Sequence, residues 1–464
     1  MPYEVSQLGP TMHFNRRDLL SAGAAALGGM LTGNVLPAAE TISTIQPPPK
    51  SPRLKVAAIF TQMHNRSHAH IILENFLANY PFNGKMIDPG MDIVSMYADQ
   101  FRPTDLTRQV ADEYNIPLYT TIADALTLGK GGGHLGVDAI LAIGEHGHYP
   151  RSREWLVEYP RKRFFDECVA VMRKAGKFVP YFNDKHLLYR WDWAREMYDT
   201  ARQLGIPMMA GSSVPFAQRI PPLELPPNAE ISEAVMIHGG EFENYGIHAM
   251  ETLQSIVEFR KGGETGISQI EVLYGEELWK GAEAGKWPFD LAAAAMELET
   301  GKPYRARTEL HDPVMWTRQP PHAIVITYKD GLKGYVLKLG HFPMRWQFAC
   351  RLKGESRIHA TRFYGGGWQN RNLFKALCHA IQQFFRTRQS PIPIERVLLA
   401  NGAILAAVDA YFQRGKPLST PYLEFGYQPR DFRDWCESGE SWKTLLREDL
   451  PEPKGFLPRT RKPR

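Results

Sequence analysis

The stretch KVAAIFTQMHNRSHAHIILENF, residues 55–76, begins the folded part of the chain and decides its class. Residues 56–60 form an apolar run typical of a buried strand, a polar loop follows, and apolar side chains recur at helical spacing from His68 onward. This order is typical of the first unit of a dinucleotide-binding fold, in which the loop holds the glycines of G-x-G-x-x-G. The stretch contains no glycine. The order therefore predicts the fold, and it leaves open what the loop binds.

Strands and helices alternate outward from this stretch up to about residue 215. The segment VDAILAIG (137–144) is almost continuously apolar, as expected for a central parallel strand. The alternation predicts a Rossmann-type, doubly wound parallel sheet over residues 54–215. The predicted strands are 56–60, 91–99, 117–119, 137–144, 177–183 and 206–213, and the predicted helices are 68–78, 105–114, 121–128, 161–175 and 192–204.

The second half has strands with more polar alternation. The tract KDGLKG after residue 328 predicts a hairpin. We therefore expect an α/β domain over residues 216–425, built on an open, mainly antiparallel sheet with helices on one face, and then an extension over 426–464 with a basic tail. The predicted strands are 229–239, 322–331 and 333–340, and the predicted helices are 246–260, 288–298, 370–386 and 395–414.

The N-terminal segment has the layout of an export signal. Arg16 and Arg17 precede a weakly apolar stretch rich in Ala, Gly and Leu, which is the pattern of a twin-arginine signal over residues 1–40. A Pro-rich linker follows over residues 41–53. We therefore expect a periplasmic or extracytoplasmic protein. Because no A-x-A cleavage site is present, a retained signal that anchors the chain to the membrane stays an alternative.

Composition argues against one class of partner and does not decide whether the cysteines are free or form a disulfide. The net charge is +5, and residues 454–464 alone contain five basic and no acidic side chains, so the rest of the chain is near neutral. This balance argues against nucleic acid as the main partner, since that requires a basic face. The four cysteines form no C-x-x-C pair, so there is no zinc or redox signature. Buried free thiols are expected, with one disulfide as the alternative in an oxidising compartment.

Four stretches in one order resemble a known family. They are QVADEYNIPLYTTIADAL (109–126), AGKFVPYFNDKHL (175–187), ENYGIHAMETL (243–253) and the closing segment 381–417. Together they resemble the Gfo/Idh/MocA oxidoreductases, of the kind of glucose–fructose oxidoreductase, as a divergent exported bacterial variant. The resemblance covers most of residues 54–420. It implies a Rossmann domain followed by an open-sheet α/β domain, tightly held NAD or NADP, a sugar or sugar-like polyol as substrate, and a homo-oligomer.

The resemblance also implies the catalytic residues. Lys185 takes the place of the family lysine and His248 that of the histidine, and the two flank the reacting hydroxyl in the family. Asn244 stands where the family has a carboxylate, four residues before His248 and on the same helix face. An amide orients the imidazole but does not stabilise an imidazolium as an aspartate does. The proline after the family lysine is replaced by His186.

Cofactor-binding residues are expected at the ends of the first strands. Asp99 ends the second predicted strand, where an acidic residue usually accepts the ribose hydroxyls. The loop offers side chains and then a helix N-terminus, which attracts anions without glycine, although Ser67 is more simply a helix N-cap. Two interpretations stay open: the loop binds a dinucleotide through side chains, or it binds none. The predicted cofactor-binding residues are Thr61, Asn65, Ser67, Asp99, Gly144 and Glu145.

Six histidines follow three of the predicted strands. They are His64, His68, His70, His146, His148 and His186, and with Glu145 they suit a divalent transition metal, although no H-E-x-x-H spacing occurs. We predict no metal site and instead a sugar-binding cleft. Its predicted substrate-binding residues are His146, His148, Ser213 and Arg219.

Three hypotheses follow from these patterns. The first is an exported NAD(P)-dependent oxidoreductase that acts on a sugar or polyol. The second is a degenerate relative that binds a carbohydrate without redox chemistry, which the missing glycines and Asn244 favour. The third is a sugar hydrolase or lyase, with or without a metal. Copurified nucleotide would support the first hypothesis, and sugar binding without nucleotide would support the second. Activity that is sensitive to a chelator would support a metal-dependent form of the third.

Overall fold

A computed structural model describes residues 52–304, 320–339, 344–366, 368 and 370–441 of the 464-residue chain. The predicted export signal, most of the linker and the basic tail lie outside the described residues. In the described part of the chain, no helix is long and apolar enough to cross a membrane.

The first sheet has six parallel strands in the order β5-β4-β1-β6-β7-β8. Its centre is apolar, and all of residues 56–60 and 139–143 are buried. The strand order reverses beside β1, which opens a crevice at the carboxyl ends of β1, β4 and β6. The predicted doubly wound sheet is therefore confirmed. Its strands are β1 (Leu54–Phe60), β4 (Met91–Ala98), β5 (Leu118–Tyr119), β6 (Ala139–Ile143), β7 (Tyr181–Asp184) and β8 (Met208–Gly211).

Five helices connect these strands, at nearly the predicted positions. Ser67 caps the first one, because its side chain accepts from the His70 N–H. Left-handed glycines end two others, Gly176 after α4 and Gly205 after α5. A short hairpin that was not predicted, β2 (Tyr80–Phe82) with β3 (Lys85–Ile87), follows α1. The helices are α1 (His68–Leu77), α2 (Thr107–Tyr114), α3 (Ile122–Thr127), α4 (Arg161–Ala175) and α5 (Trp191–Leu204).

The second sheet has eight strands in the order β16-β11-β12-β13-β10-β14-β15-β9. Only β10 and β13 pair in parallel, so the sheet is mainly antiparallel as predicted. The predicted hairpin is confirmed, since β12 and β13 are antiparallel neighbours. Prediction missed β9, β11, β14, β15 and β16. The strands are β9 (Gln218–Ile220), β10 (Ile231–His238), β11 (Ile267–Tyr274), β12 (His322–Tyr328), β13 (Lys333–Lys338), β14 (Trp346–Leu352), β15 (Ile358–Tyr364) and β16 (Leu418–Ser419).

Helices cover both faces of the second sheet, so the prediction of helices on one face is wrong. Ala234 and Met236 face α6, whereas Val235 and Ile237 pack with residues of α7 and α8. Consecutive apolar residues in β10 are the signature of a strand buried on both sides. These helices are α6 (Phe242–Val257), α7 (Glu276–Glu283), α8 (Phe289–Thr300), α9 (Asn370–Thr387) and α10 (Ile394–Phe412).

All four cysteines are unpaired. Cys168, Cys350 and Cys378 are buried, and Cys436 is half-buried. Burial raises the pKa of Cys350 and of Cys436 to about 12, so these two thiols stay protonated.

Candidate active site

A group of ionisable side chains lies where the strands of the first sheet end against α6. Glu145 follows β6, Lys185 follows β7 and Ser212 follows β8. Residues that follow parallel strands converge, because the carboxyl ends of these strands share one edge of the sheet. We call this group the central cluster. Its members are His68, Glu145, His146, Asp184, Lys185, His186, Ser212, Glu243 and His248.

Lys185 and Glu145 form a buried ion pair in the central cluster. Lys185 Nζ donates to Glu145 Oε1 at 2.8 Å, and Arg161 Nη2 donates to Glu145 Oε2 at 2.5 Å. Burial acts to raise the pKa of Glu145, but Lys185 and Arg161 outweigh it and hold that pKa well below its ordinary value. Lys185 has a left-handed φ of 67° and forms a β-bridge with Gly211. Backbone and carboxylate together fix the ammonium group at the sheet edge.

Gly144 is required by the packing of Arg161. A Cβ at position 144 would lie 2.6 Å from Arg161 Cγ, which is closer than van der Waals contact allows. The absence of a side chain lets the guanidinium reach Glu145 from the start of α4. Gly144 was predicted to bind a cofactor, and in the structure it makes room for this ion pair.

His186 and Glu243 form a second pair beside the first. Nε2 of His186 lies 2.8 Å from Glu243 Oε1, and both side chains are buried. Burial lowers the pKa of His186 more than Glu243 raises it. For Glu243 burial acts to raise the pKa, but His186 and Lys185 outweigh it and the pKa falls. The pair therefore places an ionised carboxylate at the first turn of α6.

His248 is held by Ser212 and lies against Trp346. Its Nδ1 is 2.6 Å from Ser212 Oγ, and its ring centroid is 5.5 Å from that of Trp346 at an angle of 71°. Burial, followed by Lys185, lowers the pKa of His248 well below its ordinary value. The ring is therefore neutral. The Ser212 N–H in turn donates to Glu251 Oε2 at 2.8 Å, so a second residue of α6 holds the serine in place.

Asn244 has a different partner from the one expected. Its Nδ2 donates to Glu241 Oε2 at 3.2 Å, and its Oδ1 is buried without a hydrogen bond among the described residues. The contact of His248 Nδ1 is with Ser212 instead. The amide of Asn244 thus lies near the cluster, while the serine orients the imidazole.

Three imidazoles lie together at the mouth of the cluster. The ring centroids of His64 and His68 are each 5.2 Å from that of His146. His68 Nδ1 lies 2.6 Å from Asp184 Oδ2. Burial, followed by His68, lowers the pKa of His146 to about 3. Over the described ranges, no three His, Cys, Asp or Glu side chains are placed to hold a metal ion.

Side chains of the loop after β1 form hydrogen bonds within the loop and to the loop after β6. Ser67 Oγ accepts from the N–H groups of His64 at 3.0 Å and His70 at 3.3 Å, which confirms it as the N-cap. Thr61 Oγ1 donates to the Glu145 carbonyl at 2.5 Å and is buried. Asn65 is exposed. The loop therefore ties β1 to the cluster through Thr61 and presents Asn65 to solvent.

Asp99 is surrounded by hydrogen-bond donors. Tyr97 and Arg163 donate to its Oδ1, and the Tyr149 hydroxyl donates to Oδ2 at 2.8 Å. Burial acts to raise the pKa of Asp99, but the hydrogen bonds from Tyr97, Arg163 and Tyr149 outweigh it and lower that pKa. The carboxylate is ionised at the position where a ribose is expected.

The loops after β4 and β6 are joined next to Asp99. Gln100 Nε2 donates to the His148 carbonyl at 2.9 Å, and the His148 N–H donates back to Gln100 Oε1 at 2.8 Å. The imidazole of His148 belongs to an exposed residue. Because β1 lies between β4 and β6, these bonds pass over the carboxyl end of β1.

Ser213 and Arg219 lie in different surroundings. Ser213 follows Ser212 and is buried, and its Oγ has no hydrogen-bond partner among the described residues. Arg219 Nη1 donates to the Leu223 carbonyl at 2.9 Å and to Glu224 Oε1 at 3.3 Å. Both of these partners belong to the segment that follows Arg219. Ser213 is thus adjacent to the cluster in the chain, whereas Arg219 forms hydrogen bonds within its own loop.

Sequence reasoning missed three members of this network: Arg161, Asp184 and Glu243. Two had a signal, because Asp184 directly precedes Lys185 and Glu243 directly precedes Asn244 in the stretches already singled out. Arg161 had none, because an arginine at the start of a helix is ordinary in sequence and only packing brings it to Glu145.

Comparisons with known proteins show what the chain is similar to. No family model matches the chain, and no curated protein matches it. Among solved structures, GenD2 from gentamicin A biosynthesis in complex with NAD is 10% identical, with a TM-score of 0.51 over 83% of this chain and 99% of that chain. Myo-inositol dehydrogenase from Lactobacillus casei, in complex with NAD(H) and myo-inositol, is 14% identical, with a TM-score of 0.49 over 79% of this chain and 97% of that chain. At these identities the likeness concerns the fold alone, which this chain shares with GenD2.

Proposed function

We propose that the chain is an exported Gfo/Idh/MocA-type oxidoreductase that uses NAD or NADP on a carbinol of a sugar or sugar-like polyol. The single observation that supports this most is the meeting of Lys185 and His248 in one buried cluster. The two residues come from opposite halves of the fold, β7 and α6. The fold shared with GenD2, whose structure contains NAD, adds support.

The residues present fit a dinucleotide on one side of the crevice. Asp99 directly follows β4, among hydroxyl and guanidinium groups that ribose hydroxyls can replace. Thr61 and Gly144 directly follow β1 and β6 at the same edge of the sheet. On the phosphate side, the turn His64–Ser67 presents side chains where the family has glycines. Phosphate oxygens would therefore bind through side chains such as Asn65 rather than through a close backbone approach.

The chemistry follows from the neutral imidazole and the fixed ammonium. A bound nicotinamide would supply the hydride acceptor or donor. The hydroxyl of the carbinol loses its proton to Nε2 of His248 as the carbonyl forms. This requires Nδ1–H to donate to Ser212 Oγ, which also accepts from the Val214 N–H and has two lone pairs for the purpose. The ammonium of Lys185 stabilises the developing charge on oxygen.

The first experiment looks for the cofactor. The purified chain is denatured, and released nicotinamide dinucleotide is measured by mass spectrometry. We expect a near-stoichiometric amount and a thermal shift on adding NAD or NADP to stripped protein. Lys185→Met is expected to abolish polyol oxidation, whereas Lys177→Met, at an exposed position of the same half, serves as the control. No nucleotide together with no thermal shift would reject the oxidoreductase proposal.

A specific observation favours a second candidate, a carbohydrate-binding relative without redox chemistry. The Gln100–His148 bonds and the three donors on Asp99 fill hydrogen-bonding positions that a dinucleotide would need. Under this candidate the central cluster binds a polyol, and the crevice beside β1 stays closed. Polyol binding by calorimetry with no nucleotide binding would support it.

Export and assembly remain proposals that rest on the sequence. Residues 1–40 direct the chain through the twin-arginine route, 54–215 and 216–425 form its two domains, and the chain forms a homo-oligomer. Replacing Arg16 and Arg17 with lysine is expected to retain the protein in the cytoplasm, as measured by cell fractionation. Sedimentation of the purified chain tests the oligomer.

A further inference from the structure

Exposed aromatic side chains are concentrated on one surface beside α10. Five large hydrophobic side chains of the described residues are exposed, and three of them belong to this surface. They are Trp155 at 52%, Phe412 at 41% and Tyr422 at 41%. Exposed apolar side chains that are grouped in this way are typical of binding surfaces. We call these three residues, with Trp191, the aromatic surface.

The four rings form two pairs with an acidic residue between them. The ring centroids of Trp155 and Phe412 are 5.3 Å apart at an angle of 75°, and those of Trp191 and Tyr422 are 5.2 Å apart at 48°. Asp409 lies one turn before Phe412 on α10 and contributes to the rise in the pKa of Tyr422, after burial. Asp409 therefore lies within electrostatic reach of both pairs.

A second carboxylate accompanies Asp409. Glu154 directly precedes Trp155, and after burial it is the next cause of the raised pKa of Asp409. Within the described residues, the side chain of neither carboxylate forms an ion pair. Two unpaired carboxylates next to two aromatic pairs offer hydrogen-bond acceptors beside flat apolar faces.

We propose that the aromatic surface binds a neutral oligosaccharide or polysaccharide chain. Aromatic rings pack on the apolar C–H faces of sugar rings, and carboxylates accept hydrogen bonds from sugar hydroxyls. Arg151 Nη1 donates to the Trp155 carbonyl at 3.1 Å, and exposed Arg153 precedes Glu154, so charges of both signs lie beside the rings and favour a partner without net charge. A neutral polyhydroxyl chain can pack its C–H faces on the rings and donate its hydroxyl hydrogens to the carboxylates.

The aromatic surface shares segments with the central cluster. The loop that begins at Glu145 and His146 continues to Trp155, and Tyr411, next to Phe412, lies 5.6 Å from Phe242 at the start of α6. The inference takes only its ligand class from the proposed function, and binding here does not require a redox step.

Affinity electrophoresis of the full chain tests this inference. Native gels contain galactomannan, xyloglucan or mixed-linkage β-glucan as neutral probes and polygalacturonate as the anionic probe. We expect retardation by at least one neutral probe and none by polygalacturonate. Trp155→Ala and Phe412→Ala are expected to weaken the retardation at least fivefold. Phe101→Ala is the matched control, because Phe101 is also exposed, at 44%, and lies outside the aromatic surface.

Several results would overturn the inference. No retardation by any neutral probe would do so, and so would retardation that Trp155→Ala and Phe412→Ala leave unchanged. A dimer in sedimentation that Trp155→Ala dissociates would assign the surface to contact between copies instead. Thermal melting confirms that each variant is folded. Nucleotide release is measured separately, so loss of the oxidoreductase proposal and loss of this inference are distinguishable.

Discussion

Lys185 Nζ lies 2.8 Å from Glu145 Oε1, and the two residues are only 4% and 5% exposed. The pair joins the end of β6 to the end of β7, and Arg161 occupies the second carboxylate oxygen. A buried carboxylate between two cations compensates charges that would otherwise be costly to bury. This relationship therefore links the stability of the first sheet to the position of the candidate catalytic ammonium.

Glu145→Gln is expected to destabilise the fold strongly. The substitution leaves Lys185 and Arg161 buried without their counter-charge, and breaking a buried pair in this way costs about 3–5 kcal/mol. Chemical denaturation measures the loss. The matched control is Asp192→Asn, which removes an exposed pair with Arg190 and should change stability little, because water screens that pair. Equal losses in the two variants would contradict the buried network.

Ser212→Ala is expected to reduce turnover about tenfold and to lower the free energy of unfolding by about 1–3 kcal/mol, because the buried Oγ also accepts from the Val214 N–H. The hydroxyl orients the His248 ring, and a hydrogen bond of this kind is worth about 1–2 kcal/mol, or about a factor of ten in rate. Steady-state kinetics on a polyol measures the effect, which should fall on kcat more than on KM. Ser213→Ala is the control, because that neighbouring Oγ has no partner in the described part of the chain. A larger loss of turnover in Ser213→Ala than in Ser212→Ala would contradict this, because Ser213 would then orient the imidazole.

Glu251 is expected to make the fold less stable as pH rises. Burial raises its pKa to about 8 against the lowering effects of Arg396 and the Ser212 N–H, and Glu258 adds to the rise. Between an unfolded pKa of 4.5 and the folded value of about 8, the folded chain keeps a proton that the unfolded chain has lost. The free energy of unfolding contributed by this group therefore falls through that window.

Glu251→Gln removes this titration. The variant should gain stability over the wild type as pH rises from 5 to 8, by up to about 4 kcal/mol. Melting curves at both pH values measure the difference. Glu277→Gln changes an exposed glutamate and should show no such trend. A difference that is constant with pH would mean that Glu251 is ionised in the folded chain.

The fold of the first half was predictable because burial of a parallel sheet leaves a local signal. VDAILAIG is apolar at nearly every position, and β6 lies at the centre of the sheet. The strands missed in the second half, such as β14 and β15, lie at residues 346–364, where arginines, a histidine and threonine interrupt the apolar pattern. Their place in the sheet is set by strand pairing, of β14 with β10 and of β15 with β14, rather than by local sequence.

The candidate site was predictable only where a residue lies in a recognisable stretch. Lys185 and His248 were found, and the structure brings both into the cluster. The partner of His248 was not found, because Ser212 comes from β8 and reaches α6 only through the contact between the two halves. Asp99 was located correctly at the end of β4, but its occupation by Tyr149 and Arg163 depends on the loop after β6 and on α4.

Arg163→Met tests whether Asp99 is a ribose site that the protein itself partly fills. Arg163 donates to Asp99 Oδ1 and is itself half-exposed, so its removal frees a carboxylate oxygen at small cost in stability. If ribose hydroxyls bind Asp99, affinity for NAD should rise several-fold, as measured by calorimetry on stripped protein. Arg173→Met, an exposed change on the same helix α4, is the control. Weaker NAD binding by Arg163→Met would instead mean that the guanidinium contacts the nucleotide, and unchanged binding would place the ribose away from Asp99.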